Sequence, residues 1–79
     1  MNKIYTTVFC SWCQRAKALL DQHGIDYTEV NVTEDRALQK EMIERSGRQS
    51  VPQIFFDEEH IGGYDDLVRY LQKAGDAAA

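Results

Sequence analysis

Cysteine is scarce in this chain and proline scarcer: Cys10 and Cys13 are the only two cysteines and Pro52 is the only proline. A bond between cysteines three positions apart closes a very small loop, and cross-linking stabilises least where the loop is shortest. The pair therefore makes a poor staple. This matters because domains of this size bury only roughly 60% of the surface the unfolded chain exposes, and small secreted ones often compensate with several disulfides. Chemistry is the better use for these two thiols. Long apolar runs are also missing, since no stretch approaches the roughly 20 residues that cross a bilayer. Residues 1–8 alternate like a strand where a secretion signal would carry an apolar block and a small-residue cleavage site. Together these absences read as a cytoplasmic chain, off the membrane, in which free thiols persist. Basic charge is in short supply too. Nine Lys and Arg are scattered among thirteen Asp and Glu, for a net charge of −4. General nucleic-acid binding needs a clustered basic face, so no nucleic-acid partner is expected.

There is no internal repeat and no linker rich in Pro, Gly or Ser, which points to one domain over 1–75 with a frayed tail at 76–79. Residues 2–8 read as a first strand, with Ile4, Thr6 and Val8 on one face and Lys3, Tyr5 and Thr7 on the other. From Ser11, a candidate N-cap, to Gln22 the pattern is helical: Ala16, Leu19 and Leu20 share a face, and Gly24 follows as a left-handed stop. Residues 27–32 alternate again as a second strand. Thr33 can cap a second helix running to about Arg45, with Leu38, Met42 and Ile43 as its apolar face and Ser46-Gly47 at its end. A short strand over 53–56 turns through Asp57-Glu58-Glu59 into a brief partner at His60-Ile61. Gly62-Gly63 breaks that strand, and 65–73 form a last helix carrying Leu67, Val68, Tyr70 and Leu71. The order β-α-β-α-β-β-α predicts an α/β domain: a parallel βαβ unit followed by a hairpin, giving a four-stranded mixed sheet with helices on its faces. That is the layout of a minimal thioredoxin-like fold.

Cys10-Ser11-Trp12-Cys13 falls where the first strand meets the first helix. Free backbone N–H groups and the positive end of the helix dipole there favour a thiolate at the first cysteine. Cysteine pKa values fall from about 8.5 to roughly 3.5–7.5 in such settings. The thiolate fraction then rises while intrinsic nucleophilicity falls by a similar factor, so the lasting gain is a better leaving group. Cys10 is thereby suited to take up a substrate sulfur and release it. Cys13, one turn into the helix, can resolve the adduct and close an internal bond. Two other readings stand beside this one. A Cys-x-x-Cys can be half a zinc site, although only His23 and His60 remain as further Cys or His ligands. The two cysteines can also be inert core residues.

Two further segments stand out. Val51-Pro52 precedes the third strand. With a cis bond the Val51 backbone would turn outward to pair with an extended peptide, and with a trans bond Pro52 simply opens an edge strand. Gly62-Gly63-Tyr64-Asp65-Asp66 opens the last helix. Its free N–H groups and acidic side chains suit an α-amino-acid head group, or equally an ordinary helix cap.

Ile4-Tyr5-Thr6, the Cys-x-x-Cys with Gln14-Arg15-Ala16-Lys17-Ala18-Leu19-Leu20, the run from Ser46 to Phe55 and the run from Ile61 to Leu67 together resemble bacterial glutaredoxins of the dithiol type. The match runs nearly end to end. The resemblance implies a glutathione-dependent thiol–disulfide oxidoreductase that reduces protein–glutathione mixed disulfides and protein disulfides through Cys10. It implies a monomer whose partners are glutathione and those proteins. It also implies a groove: Val51, before Pro52, pairs with the cysteinyl part of glutathione; the Asp65 backbone and Asp66 side chain hold the γ-glutamyl head; Trp12 walls one side; and Gln39 reaches toward the glycine carboxylate.

Two departures from the family pattern bear on function. Ser11-Trp12 stands where the family has Pro-Tyr, and in this respect the chain is similar to members that bridge a [2Fe–2S] cluster between two monomers. There Cys10 and one glutathione from each subunit would supply the four thiolates. Thr7 stands where the family commonly has Lys, which implies weaker contact with the glycine carboxylate.

Overall fold

The structure is a computed structural model that describes residues 1–78, and side chains through Lys73. Its elements follow the predicted order: β1 Lys3–Thr6, α1 Ser11–Gln22, β2 Thr28–Asn31, α2 Arg36–Ser46, β3 Gln53–Phe56, β4 Glu59–Gly62 and α3 Tyr64–Ala78. The four strands lie in the order β2-β1-β3-β4. β1 pairs parallel with β2 and antiparallel with β3, and β3 pairs antiparallel with β4, so the sheet is mixed as the pattern requires.

The two central strands are buried on both faces. Ile4 and Ile54 pack against Ala16 and Leu20 of α1 and Leu67 of α3. On the opposite face Tyr5 and Phe55 pack against Val32 and Met42 of α2. Each fully buried aliphatic or aromatic side chain contributes roughly 1.5–3 kcal/mol. Tyr5 has a polar end to satisfy, and its hydroxyl donates to Glu41 Oε2 at 2.6 Å and accepts from Arg45 Nη1 at 3.1 Å. Burial, then the Glu41 carboxylate, raises its pKa above the ordinary tyrosine value.

Several boundaries differ from the sequence expectation. The cap of α1 is Cys10 and not Ser11. The cap of α2 is Asp35, whose carboxylate accepts from Leu38 N–H at 3.0 Å. Thr33 is drawn away from that role because its hydroxyl accepts from Val8 N–H at 2.9 Å, and Glu34, at φ 59°, turns the chain between the two. Ile43 is 38% exposed, leaving Met42 and the half-buried Leu38 as the packed face of α2. β1 and β2 are shorter than the alternation suggested, since residues 7 and 8 have no strand partner and Val32 follows the last paired residue. β4 is longer and includes Gly62. α3 extends to Ala78. The side chains of the tail expected to fray, and all of Ala79, lie outside the described residues. Among the described residues, no helix is long and apolar enough to cross a membrane.

Candidate active site

β1 ends at Thr6, and four residues carry the chain to the start of α1. Cys10 is extended there (φ −146°, ψ 100°), and its Sγ accepts from the backbone N–H of Cys13 at 3.0 Å. Its carbonyl takes the first helical bond, from Gln14 N–H at 3.2 Å. No acidic residue occupies the first turn of α1, so nothing cancels the positive end of the helix beside the sulfur. Cys10 and Cys13 are joined as a disulfide with Cα atoms 5.2 Å apart. Cys13 is buried and Cys10 is partly exposed, so an external thiolate meets Cys10 first.

The Val51–Pro52 peptide is cis, one of the two readings of that segment. The Val51 carbonyl oxygen lies 3.9 Å from Cys10 Sγ. Behind it Gln53 is fully buried. Its amide nitrogen donates to the Ser50 carbonyl at 3.0 Å and Ser50 Oγ at 3.3 Å, and its oxygen faces His60 Nε2 at 2.8 Å. In this orientation of the amide, His60 carries its proton on Nε2. Burial, and then Arg48, lower the His60 pKa below the usual histidine value.

Two cavities meet at Val51. One, of about 200 Å³, is lined by Trp12, Arg48, Val51, Tyr64 and Asp65 among others. Trp12 stands beside Tyr64 with ring centroids 5.4 Å apart, and Arg15 covers its ring at 4.7 Å. The other, of about 220 Å³, is lined by Thr7, Gln39, Gln49 and Val51 among others. There Gln39 donates to the Val32 carbonyl at 2.8 Å.

Asp66 sits slightly apart. It is the third residue of α3, and its carboxylate reaches back to accept from Gly63 N–H at 2.9 Å, the reciprocal half of a capping box. It also accepts from Arg48 at 3.1 Å and Arg69 at 2.8 Å. The Gly63 N–H, followed by the two guanidiniums, lowers its pKa to about 2. Gly62 is required by this packing: its φ is +117°, and an added Cβ would sit 2.7 Å from Asp66 Cγ.

Of the residues singled out in the sequence, Trp12, Val51, Pro52 and Asp65 border one groove, and Cys10, backed by Cys13, abuts it at Val51. Gln39 lies across Val51 in the second cavity. Asp66 is held by its own helix and two arginines. Sequence reasoning missed Arg48, Tyr64 and the buried Gln53. Arg48 was open to notice as the sole cation of the Ser46–Phe55 run, and Tyr64 as the aromatic that follows the Gly-Gly break. Gln53 gave no signal, because a glutamine at a strand start is ordinarily solvated.

A family model described as Glutaredoxin matches residues 2–61. The chain belongs to the glutaredoxin family. It is 52% identical over 73 residues to Glutaredoxin 3 of Escherichia coli K12, covering 92% of this chain and 88% of that protein. Among solved structures, the glutaredoxin of Brucella melitensis superposes with a TM-score of 0.80 at 40% identity, covering 98% of this chain and 84% of that one. A buckwheat glutaredoxin–glutathione complex gives a TM-score of 0.82 at 26% identity, covering 92% of this chain and 69% of that one. The sheet with three helices is thus the thioredoxin-like glutaredoxin fold. As glutaredoxins are thiol–disulfide oxidoreductases, so is this chain, and Cys10 and Cys13 form its Cys-x-x-Cys disulfide.

Proposed function

We propose that this glutaredoxin uses glutathione to remove glutathione from protein cysteines, and that it also reduces protein disulfides. The observation that carries this reading is the position of Cys10 Sγ beside the Val51 carbonyl, at the junction of two cavities. A tripeptide laid across Val51 would pair with its backbone and present its own sulfur to Cys10. Its γ-glutamyl head would lie between Trp12, Tyr64 and the start of α3, with the Asp65 N–H and Arg48 for its carboxylate and the ionised Asp66 for its ammonium. Its glycine end would lie beside Thr7 and Gln39. The buckwheat relative is a complex with glutathione, which supports the same occupant here.

The chemistry balances with glutathione alone. A glutathione thiolate attacks Cys10 Sγ of the internal disulfide, and Cys13 leaves as the thiolate. A second attacks the glutathione sulfur of that adduct, releasing oxidised glutathione and leaving Cys10 as thiolate. Cys10 then attacks the glutathione sulfur of a modified protein, whose own sulfur departs with the electron pair and takes a proton. Another glutathione resolves the new adduct. For a protein disulfide, the Cys10 thiolate attacks one sulfur and the other leaves as a thiolate; Cys13 then attacks Cys10 Sγ of the mixed disulfide, restoring the starting bond and releasing the second protein thiolate.

The test compares wild type, Cys13→Ser and Cys10→Ser in glutathione-driven reduction of a glutathionylated peptide. Cys13→Ser is expected to keep most of the rate, and Cys10→Ser to lose all of it. If wild type and Cys13→Ser are both inert, the groove is not a glutathione site. If protein purified without oxygen is a brown dimer that turns over only after bleaching, Cys10 serves a cluster first.

A further inference from the structure

Phe9 is 98% exposed, Val8 54% and Trp12 49%. Single exposed apolar side chains need no explanation, but three within five consecutive residues flanking Cys10 do. Trp12 is accounted for by the groove. Phe9 is not: it lines neither cavity beside Cys10 and joins neither core cluster. The segment that carries it is nevertheless anchored, since Val8 N–H donates to Thr33 Oγ1 at 2.9 Å and Cys10 caps α1. A bare phenyl ring is thus presented from a fixed backbone, one residue before the nucleophile.

We propose that Val8 and Phe9 form a docking surface for the polypeptide part of a glutathionylated protein, selecting modified cysteines flanked by apolar side chains. The proposal rests on the glutathione reading above and adds the substrate class to it. With the glutathionyl half of the mixed disulfide laid across Val51, the polypeptide half must leave the same sulfur–sulfur bond over the rim of the groove. Val8 and Phe9 are the exposed apolar residues adjoining Cys10 outside that groove. In this step the Cys10 thiolate bonds to the glutathione sulfur, the bond to the protein sulfur breaks, and the protein leaves as a thiolate that takes a proton. The patch touches only the departing half. It therefore acts on the first half-reaction and not on resolution by glutathione. A polypeptide fits better than a second copy, because copies each carrying a net charge of −4 repel.

The test uses two glutathionylated peptides identical except that the cysteine is flanked by Leu in one and Ser in the other. The mixed disulfide of glutathione and 2-mercaptoethanol, which has no flanking residue, is the third substrate. Wild type is expected to favour the Leu peptide by about five- to tenfold in kcat/KM, from partial burial of one aromatic ring. Phe9→Ser should lose most of that preference and Val8→Ser part of it, with both variants keeping the rate on the mercaptoethanol substrate. Equal kcat/KM for the two peptides in wild type, or an undiminished preference in Phe9→Ser, would overturn the docking surface while leaving the glutathione reading intact. A protein inert on the mercaptoethanol substrate overturns the glutathione reading, and this one with it. A dimer formed by wild type and lost in Phe9→Ser assigns the patch to a second copy and overturns the proposal.

Discussion

Gln53 at the start of β3 and His60 in β4 face each other with 2.8 Å between the amide oxygen and the imidazole Nε2. Through its other end Gln53 holds the Ser50 carbonyl and hydroxyl. The two residues therefore tie the last strand of the sheet to the loop that presents Val51 to Cys10, although neither touches the sulfur in the contacts described.

Replacing Gln53 by Leu keeps the bulk and removes all three bonds. The Ser50 carbonyl and the His60 N–H, which water can reach, then lose their protein partner, which costs about 0.5–1.5 kcal/mol. Urea denaturation should show a lower midpoint with an unchanged slope. If the relay also positions Val51, the KM for glutathione should rise as well. A variant as stable as wild type would show that the loop is held by other means.

Asp66 gives a pH signature with a defined sign. Its carboxyl titrates near 2 in the folded chain against an ordinary 3.8. Above 3.8 both folded and unfolded chains are ionised there, and its contribution is complete. Between 3.8 and 2 the unfolded chain takes up the proton first, and the contribution is lost. Asp66→Asn should lose on the order of 1 kcal/mol at neutral pH. The full shift would convert to more, but the arginine partners are well exposed and screened. Its stability should also fall less steeply than that of wild type across the acid window. Parallel acid profiles would mean that Asp66 is not the group responsible.

Thr7 lines the second cavity with Gln39, Gln49 and Val51. If the glycine carboxylate of glutathione lies there, Thr7→Lys adds a cation beside it. Binding should tighten by about threefold at low salt, with the gain shrinking as salt rises. Titration of glutathione as a function of ionic strength measures both. Unaltered affinity would place the glycine end elsewhere.

The element order and the parallel and antiparallel pairings were legible in the sequence, and Trp12, Val51, Pro52 and Asp65, singled out there on the family resemblance, line one cavity. Apolar periodicity marks long helices well. Helix starts were less legible. Serine and threonine are generic caps, yet Ser11 is displaced by the cysteine before it, and Thr33 spends its hydroxyl on Val8, a residue 25 positions away. Tertiary partners of that kind leave no local trace. The same holds for Asp66. Its acidic character announced either a ligand or a cap, and only the placement of Gly63, Arg48 and Arg69 shows how much of the carboxylate the protein itself occupies. Gln53 shows the limit from the other side, for a polar side chain paired on both ends can be buried completely.

The atom that closes the first turn of α1 is also the sulfur proposed above to react. As a thiolate it offers the Cys13 N–H a charge-assisted bond, and as one half of a disulfide only the weak acceptor of a neutral sulfur. Helix and nucleophile are therefore linked thermodynamically, and whatever the turn gains when Cys10 ionises, the ionisation gains from the turn. On the proposed chemistry, this single turn tightens when the adduct leaves Cys10 and slackens when the next one forms.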